Sequence, residues 1–418
     1  MRPGKARQGR PLRCFSATRL PHTHTPAPNM PRPPRILLAG GGTGGHVYPA
    51  VAIADAVKEI APDAAIMFAG TRDRMEWEKV PEAGYEIRPI TVSGVQRRLT
   101  AENLKFPFKL AKGMIDSFRL VGDFDPDVAV GTGGYVSGPV LLAATLRARP
   151  LVLQEQNAYA GLTNKLLSRR AAQVHIAFDE ARDYLSNVPC ILSGNPTRRA
   201  LKEAARSEGR AHFDVPEEAT LLLLTGGSLG SRALNDAMEA HYAALLEDHP
   251  ELHILWQCGA RYYDALSGRV ETETGPGERM NLVKFIDRMD LAYAGADLAL
   301  CRAGAITCSE LMVTKTPSVL VPSPNVTEDH QTKNARSMEK EGAAVLLPEP
   351  ELDDRFAGEV RDLLASEERR QQMARAAGQL ARPDAARHIA HSVLSLAGWS
   401  GAGEREKKKR EEGGNTET

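Results

Sequence analysis

Much that would assign this chain at a glance is missing from it. Its five cysteines, Cys14, Cys190, Cys258, Cys301 and Cys308, are scattered, and only the last two stand near each other. With no C-x-x-C pair and no cysteine–histidine metal spacing, neither a disulfide framework nor a metal site is expected. A reducing compartment, the cytoplasm, is the simple reading. Net charge is missing too, since 53 basic residues balance 53 acidic ones. That removes the overall field by which nucleic-acid binders attract phosphate, so no nucleic-acid partner is expected. No apolar run approaches the roughly 20 residues of a membrane-spanning helix, and no short-period repeat appears. Residues 1–34 hold no acid and lack the apolar segment of a secretory signal. They read as a disordered extension, or as residues ahead of a true start at Met30. Residues 401–418, GAGEREKKKREEGGNTET, have no apolar periodicity and read as a disordered charged tail.

What is present is a rhythm. From Arg35, short apolar runs alternate with stretches of helical spacing such as 51–60. RILLAG, AAIMFAG, YEIRPI, DVAVGTGG, PLVLQEQN, QVHIAF and PCILSGNP read as strands. The rhythm pauses at the Gly-Asn-Pro of SGNPTRRA and restarts with ATLLLLTGGSLG, LHILWQCG, NLVKFI, ADLALCRAG, PSVLVPSP and AAVLLP. Alternating strand and helix is the mark of βαβ units on a parallel sheet. The fold class is α/β: two facing, doubly wound, Rossmann-like domains over 35–193 and 194–385, with a ligand cleft between them. Residues 386–400 are expected to form a helix that packs back on the first domain.

Three glycine loops follow apolar strands: GGGTGGH at 40–46, GTGGYVSGP at 131–139 and TGGSLGSR at 225–232. Glycine is costly to order, so the backbone must be bare there for a reason. Without Cβ, a phosphate can approach the N–H groups that open the next helix. Any one loop reads equally well as a plain turn; three at equivalent strand ends argue for ligands. Gly40, Gly42 and Gly45 also fit the dinucleotide fingerprint G-x-G-x-x-G. That fingerprint wants a ribose-binding carboxylate at the end of strand two, where this chain has Ala69, Gly70 and Thr71. A nicotinamide or flavin enzyme is therefore disfavoured.

Other segments carry candidate chemistry. Asp123, Asp125 and Asp127 form a doubled D-x-D, but they precede a strand at the edge opposite the glycine loops. They read as a solvated turn, and no metal is implied. In CRAGAITCSEL, 301–311, a carboxylate following small residues suits the two hydroxyls of a ribose, and equally a capped helix start. EQNAYAGLTNK, 155–165, puts acid and amides at a strand end, where they suit sugar hydroxyls or an ordinary loop. The stretch 95–114 interleaves Arg97, Arg98, Lys105, Lys109 and Lys112 with Leu104, Phe106, Phe108 and Leu110. Such a surface can lie on an anionic bilayer, or form a half-buried helix.

GGTGGHVYPA, GTGGYVSGP, EQNAYAGLTNK, GNPTR, GGSLGS, FIDRM, CRAGAITCSE and EDHQTKNA occur here in the order seen in one family. From about Arg35 to near Gly398 the chain resembles the MurG family, the peptidoglycan N-acetylglucosaminyltransferases that make lipid II. The resemblance implies a GT-B fold. It implies transfer of N-acetylglucosamine from UDP-N-acetylglucosamine to the C4 hydroxyl of the muramyl sugar of undecaprenyl-diphospho-muramoyl-pentapeptide (lipid I), with inversion and without a cofactor. It places Thr43, Gly44, Gly45 and Asn157 by the donor sugar, and Arg198, Ser228 and Ile286 by the nucleotide. Ala305, Ile306, Thr307, Cys308, Ser309 and Glu310 are assigned to the diphosphate and ribose, and Gln331 completes the donor site. Cys308 stands where the family often has valine, and Leu229 where glutamine is common.

Direct displacement needs a base for the acceptor hydroxyl and stabilisation of the departing UDP. His46, at the end of the first loop, is the first candidate base because imidazole titrates near neutrality; Glu155 is the second. His46 also reads as a helix-start residue or a ligand of the acceptor diphosphate. The lipid acceptor gives the basic, apolar stretch a purpose: binding the cytoplasmic face of the bacterial inner membrane through Arg97, Arg98, Lys105, Phe106, Phe108 and Lys109. The alternatives are another GT-B transferase with a different lipid acceptor, and a binding module that does not turn over.

Overall fold

The computed structural model describes residues 32–92, 106–185, 188–274 and 279–399. All thirteen apolar runs form strands. In the first domain these are β1 (Arg35–Gly40), β2 (Ala65–Gly70), β3 (Glu86–Pro89), β4 (Val128–Gly133), β5 (Leu151–Glu155), β6 (Gln173–Ile176) and β7 (Cys190–Leu192). In the second they are β8 (Thr220–Thr225), β9 (Leu252–Gln257), β10 (Met280–Val283), β11 (Leu298–Cys301), β12 (Ser318–Leu320) and β13 (Ala344–Leu346). The sheet orders are β3-β2-β1-β4-β5-β6-β7 and β10-β9-β8-β11-β12-β13. The strand pairs are parallel, so right-handed crossovers cover both faces with helices.

That covering explains the unbroken apolar runs. Along β1, Ile36 and Leu38 pack on one face with Val47, Ile53 and Val57 of the helix Gly44–Ile60. Leu37 and Ala39 point the other way, against Val121 and Leu141. In both sheets the order reverses beside the first strand, between β1 and β4 and between β8 and β11. Crevices open at such switch points, at the carboxyl ends of the strands. The three glycine loops follow β1, β4 and β8, so all three stand at those ends.

The chain leaves the first sheet after β7 and returns at its end. Ile389, Ala390, Val393 and Leu394 of the helix Ala385–Leu396 share a core with Ile36 and Val47. Where the outgoing and returning segments cross, Gly194 has φ +86°, and a Cβ there would lie 2.4 Å from the Cβ of Arg382. Only glycine lets the two segments pass that closely.

Two of the aspartates before β4 have structural partners. Asp127 accepts from Arg32 at 2.9 Å and from the backbone N–H of Arg35 at 2.8 Å, and Asp125 pairs with Arg149. They are a braced turn rather than a merely solvated one. Arg97, Arg98 and Lys105, with most of residues 1–34 and the tail 401–418, lie outside the described residues. The helix Phe106–Phe124 does carry apolar side chains to the surface: Phe108 is 79% exposed and Ile115 51%. Among the described residues no helix is long and apolar enough to cross a membrane.

Candidate active site

The first glycine loop is held from below by an acid. Glu76 is fully buried; its Oε2 accepts from the N–H of Gly42 at 2.9 Å, and its Oε1 from the N–H and hydroxyl of Thr71 at 3.1 and 2.8 Å. The second loop rests on the first. Gly134 has φ +83°, and a Cβ there would fall 2.2 Å from the carbonyl oxygen of Gly41. Thr43 stands at the start of the helix Gly44–Ile60 without a side-chain capping bond, and the first helical turn holds no acid. The N–H groups of Gly44 and Gly45 thus lie at the positive end of the helix, where negative charge is favoured.

His46 is one step further along. Its Nδ1 donates to the carbonyl of Thr132 at 2.9 Å and toward Gln156 Oε1 at 3.2 Å, while the Thr132 hydroxyl donates to the His46 carbonyl at 2.7 Å. With Nδ1 carrying the proton, Nε2 keeps its lone pair. Burial pushes the imidazole below its usual pKa; the charge of Glu155 opposes this, and His330 adds to it. At neutral pH the ring is an uncharged acceptor.

Glu155 has the opposite character. Its Oε1 accepts from the N–H and side-chain amide of Asn157 at 3.0 and 3.3 Å. Its Oε2 accepts from the N–H of Gly161 and the amide of Asn164, both at 2.8 Å. A carboxylate with four donors around it shapes a loop and has no free oxygen for a proton in flight. In this structure Glu155, the second candidate base, braces its own loop.

In the second domain the third loop uses the same steric device. Gly230 has φ +74°, and a Cβ there would lie 1.9 Å from the carbonyl oxygen of Cys258. Gly227, with φ +83°, faces open space. A cleft of about 400 Å³ lies between the domains, lined by Gly44 and Tyr48 from one side and by Ser228, Ile286, Thr307 and Glu310 from the other. Ile306 and Arg198 line it as well. The helix Ala305–Thr314 opens into it behind Gly304, again with no acid in its first turn.

Arg198 bridges the cleft. Its guanidinium lies 5.7 Å from the ring centre of Tyr48 and 4.0 Å from Glu310 Oε1, and its side chain is 56% exposed. Glu310 is almost wholly buried, and the hydroxyl of Tyr293 reaches its Oε2 at 3.4 Å. Burial raises its carboxyl to about 7, against the pull of Arg198 and Tyr293. A buried acid with one long hydrogen bond is under-partnered, and a pair of vicinal hydroxyls would complete it.

Some expected site residues turn away. Cys308 is fully buried, with its thiol pushed well up by burial. The hydroxyl of Ser309 donates to Ala305 O at 3.0 Å and accepts from Asn195. Their side chains, with the buried Ala305, pack beneath the cleft instead of facing it. Asn157 is spent on Glu155 and on Asn334, and Gln331 Oε1 accepts from the N–H of Ser323 at 2.8 Å. Glu76, Tyr293, Asn195 and Asn334 escape sequence reasoning. Asn334, fully buried, accepts from the N–H of Ala158 at 2.9 Å and donates to Ala303 O at 3.2 Å, joining the domains. Asn334 stands between Lys333 and Ala335 in EDHQTKNA, and nothing in its neighbours marks it as buried.

Comparison with known proteins agrees with this arrangement. The family model of the glycosyltransferase family 28 N-terminal domain matches residues 36–176, and that of the C-terminal domain residues 221–389. A UDP-N-acetylglucosamine–N-acetylmuramyl-(pentapeptide) pyrophosphoryl-undecaprenol N-acetylglucosamine transferase of Salinibacter ruber is 57% identical over 366 residues, 88% of this chain and 98% of that protein. The Flavobacterium psychrophilum protein of the same name is 40% identical, covering 87% and 97%. The crystal structure of Acinetobacter baumannii MurG superposes with a TM-score of 0.69 at 29% identity, over 87% of this chain and all of that one. On sequence, domain composition and architecture together, the chain belongs to the MurG family of N-acetylglucosaminyltransferases and has its GT-B fold.

Proposed function

We propose that this chain transfers N-acetylglucosamine from UDP-N-acetylglucosamine to the C4 hydroxyl of the muramyl sugar of lipid I, forming lipid II for peptidoglycan. The observation that carries the reading is the 57% identity to a relative of that name across 98% of its length. The cleft supports it with chemistry suited to a nucleoside diphosphate sugar.

In this reading the second domain takes the donor. Glu310 accepts the ribose hydroxyls. The N–H groups at the start of the helix Ala305–Thr314 and those near Ser228 hold the diphosphate, and Arg198 adds charge-assisted bonds. The first domain takes the acceptor. His46 Nε2 receives the proton of the C4 hydroxyl as that oxygen forms its bond to the donor C1. The bond from C1 to the phosphate oxygen breaks, its electron pair leaves with UDP, and the sugar inverts. Thr43, Gly44, Gly45, Asn157 and Gln331 shape the space around the transferred sugar.

The acceptor is a lipid, so the first domain is read as meeting the cytoplasmic face of the membrane peripherally. Exposed Phe108, Leu110 and Ile115 support this, and Lys109 adds charge beside them. Arg97, Arg98, Lys105 and Phe106 join this reading from the sequence alone. Charge reversal at Arg97, Arg98 and Lys105 is expected to abolish binding to anionic vesicles; unchanged binding would put the membrane surface elsewhere. The function itself is tested by incubating labelled UDP-N-acetylglucosamine with a lipid I analogue in EDTA. A disaccharide-lipid product is the expected result. Donor binding without transfer would point to another acceptor or to a binding-only protein.

A further inference from the structure

A run of buried amides connects His46 to the helix that carries Glu310. Gln154, Gln156, Asn195 and Ser309 are each at least 96% buried. Asn195 Nδ2 donates to Ala305 O at 3.2 Å, Ser309 Oγ at 2.9 Å and Gln156 O at 3.0 Å. Gln154 Nε2 donates to Asn195 Oδ1 at 2.8 Å. Gln156 Nε2 donates to Gln154 Oε1 and to Thr132 O. Gln156 Oε1 then faces His46 Nδ1 at 3.2 Å.

We propose that Gln156, oriented by Gln154 and Asn195, is a positioning residue that holds the His46 imidazole with Nδ1 protonated and Nε2 bare, and that ties this orientation to the donor-site helix Ala305–Thr314. The proposal rests on the reading of His46 as the base.

The polarity of the run follows from its fixed ends. Main-chain carbonyls can only accept, so Ala305 O and Gln156 O force the Nδ2 end of Asn195 toward them. That leaves Asn195 Oδ1 for Gln154, which must answer with Nε2. Gln154 then presents Oε1, and Gln156 must answer with Nε2 in turn. Gln156 is left with an acceptor against His46, so the histidine must donate from Nδ1. Reversing one amide would set donor against donor or acceptor against acceptor at a buried contact, which is costly. Thr132 O reinforces the same tautomer from the neighbouring strand. The run crosses from the second domain at Ala305 and Ser309 to the first at Gln154, so a shift of the donor-site helix acts on the hydrogen bonds that aim the base.

The test is Gln156→Glu in the full chain, read by ¹⁵N NMR titration of His46 and by the pH profile of kcat. The charged groups already facing His46 are Glu155, the last residue of β5, and His330, from the helix His330–Lys340. A carboxylate in place of the Gln156 amide would stand against Nδ1–H and favour the imidazolium. The His46 titration should move up by about one pH unit or more, and the acid limb of kcat should follow. An unchanged titration overturns the proposal. A titration that moves while the kcat limb stays supports the contact and removes His46 as the base. Gln156→Leu provides a second reading. It should lower kcat about tenfold or more by loosening the ring, keep the donor KM within about twofold, and mix the two ¹⁵N tautomer signatures. Wild-type kcat with a single tautomer would overturn the proposal.

Discussion

In the first domain Gly134 stacks on the carbonyl of Gly41; in the second, Gly230 stacks on that of Cys258. Both halves of the cleft thus pack the loop after their first strand against a neighbouring loop, and the contact needs a bare, positive-φ glycine, from the loop after β4 in the first domain and from the loop after β8 in the second. They differ in the polar groups around those loops. In the first domain nearly all are spent internally: Glu76 on Gly42 and Thr71, Glu155 on its own loop, His46 Nδ1 on Thr132. In the second, Arg198 is half exposed, Gly227 faces open space, and Glu310 has one long hydrogen bond from Tyr293. The first half is preorganised, and the second leaves its bonds for the donor to complete. Preorganisation suits the half proposed to aim a base, because misalignment costs rate. Unfilled hydrogen-bonding capacity suits the half that must recognise a nucleotide.

The largest effect should come from the Nε2 lone pair that the rigid half leaves on His46. His46→Ala should lower kcat by about 10²- to 10⁴-fold, leaving the donor KM nearly unchanged in steady-state assays. Near-normal kcat at saturating acceptor would mean the preorganised half serves something other than proton transfer. Next is the brace. Glu76→Gln replaces one of two acceptor oxygens with a donor that faces N–H or hydroxyl groups. It should cost about 1–3 kcal/mol of stability in urea unfolding, and an unaltered midpoint would show that the loop holds its shape without Glu76.

The open half should respond through affinity. Vicinal hydroxyls donate to an ionised carboxylate, so binding favours the charged form of Glu310. Because burial sets that carboxyl at about 7, a proton competes with the donor as pH falls through that value. The donor KM should rise by up to about tenfold for each pH unit lower, and in Glu310→Gln it should be raised about tenfold and lose that dependence. A wild-type KM flat from pH 7 to 5.5 would contradict this. Leu229→Ala should do least. The side chain is 79% exposed, and its stability change should stay within about 0.5 kcal/mol; a larger loss would mean the third loop is braced as the first is.

The strands were legible because a parallel sheet covered on both faces writes each one as a short, unbroken apolar run, such as Leu221 to Leu224 in β8. The glycine loops were legible because close backbone approach excludes other residues. The partners of those loops were not. Glu76 sits in the helix Glu76–Glu82 amid other acids and bases, and nothing local sets it apart. Asn195 meets Ser309 across 114 positions and Gln154 across 41, a juxtaposition that only the crossing of two domains creates. Cys308 and Ser309 share the motif of Thr307 and Glu310, but their side chains are buried. A helix shows a ligand only one face, and these two lie on the other.

Donor affinity measured without acceptor, by titration calorimetry of UDP-N-acetylglucosamine, separates the two halves most directly. The account predicts a wild-type dissociation constant in His46→Ala and one about tenfold weaker in Glu310→Gln. Equal weakening in both, or weakening in His46→Ala alone, would contradict it.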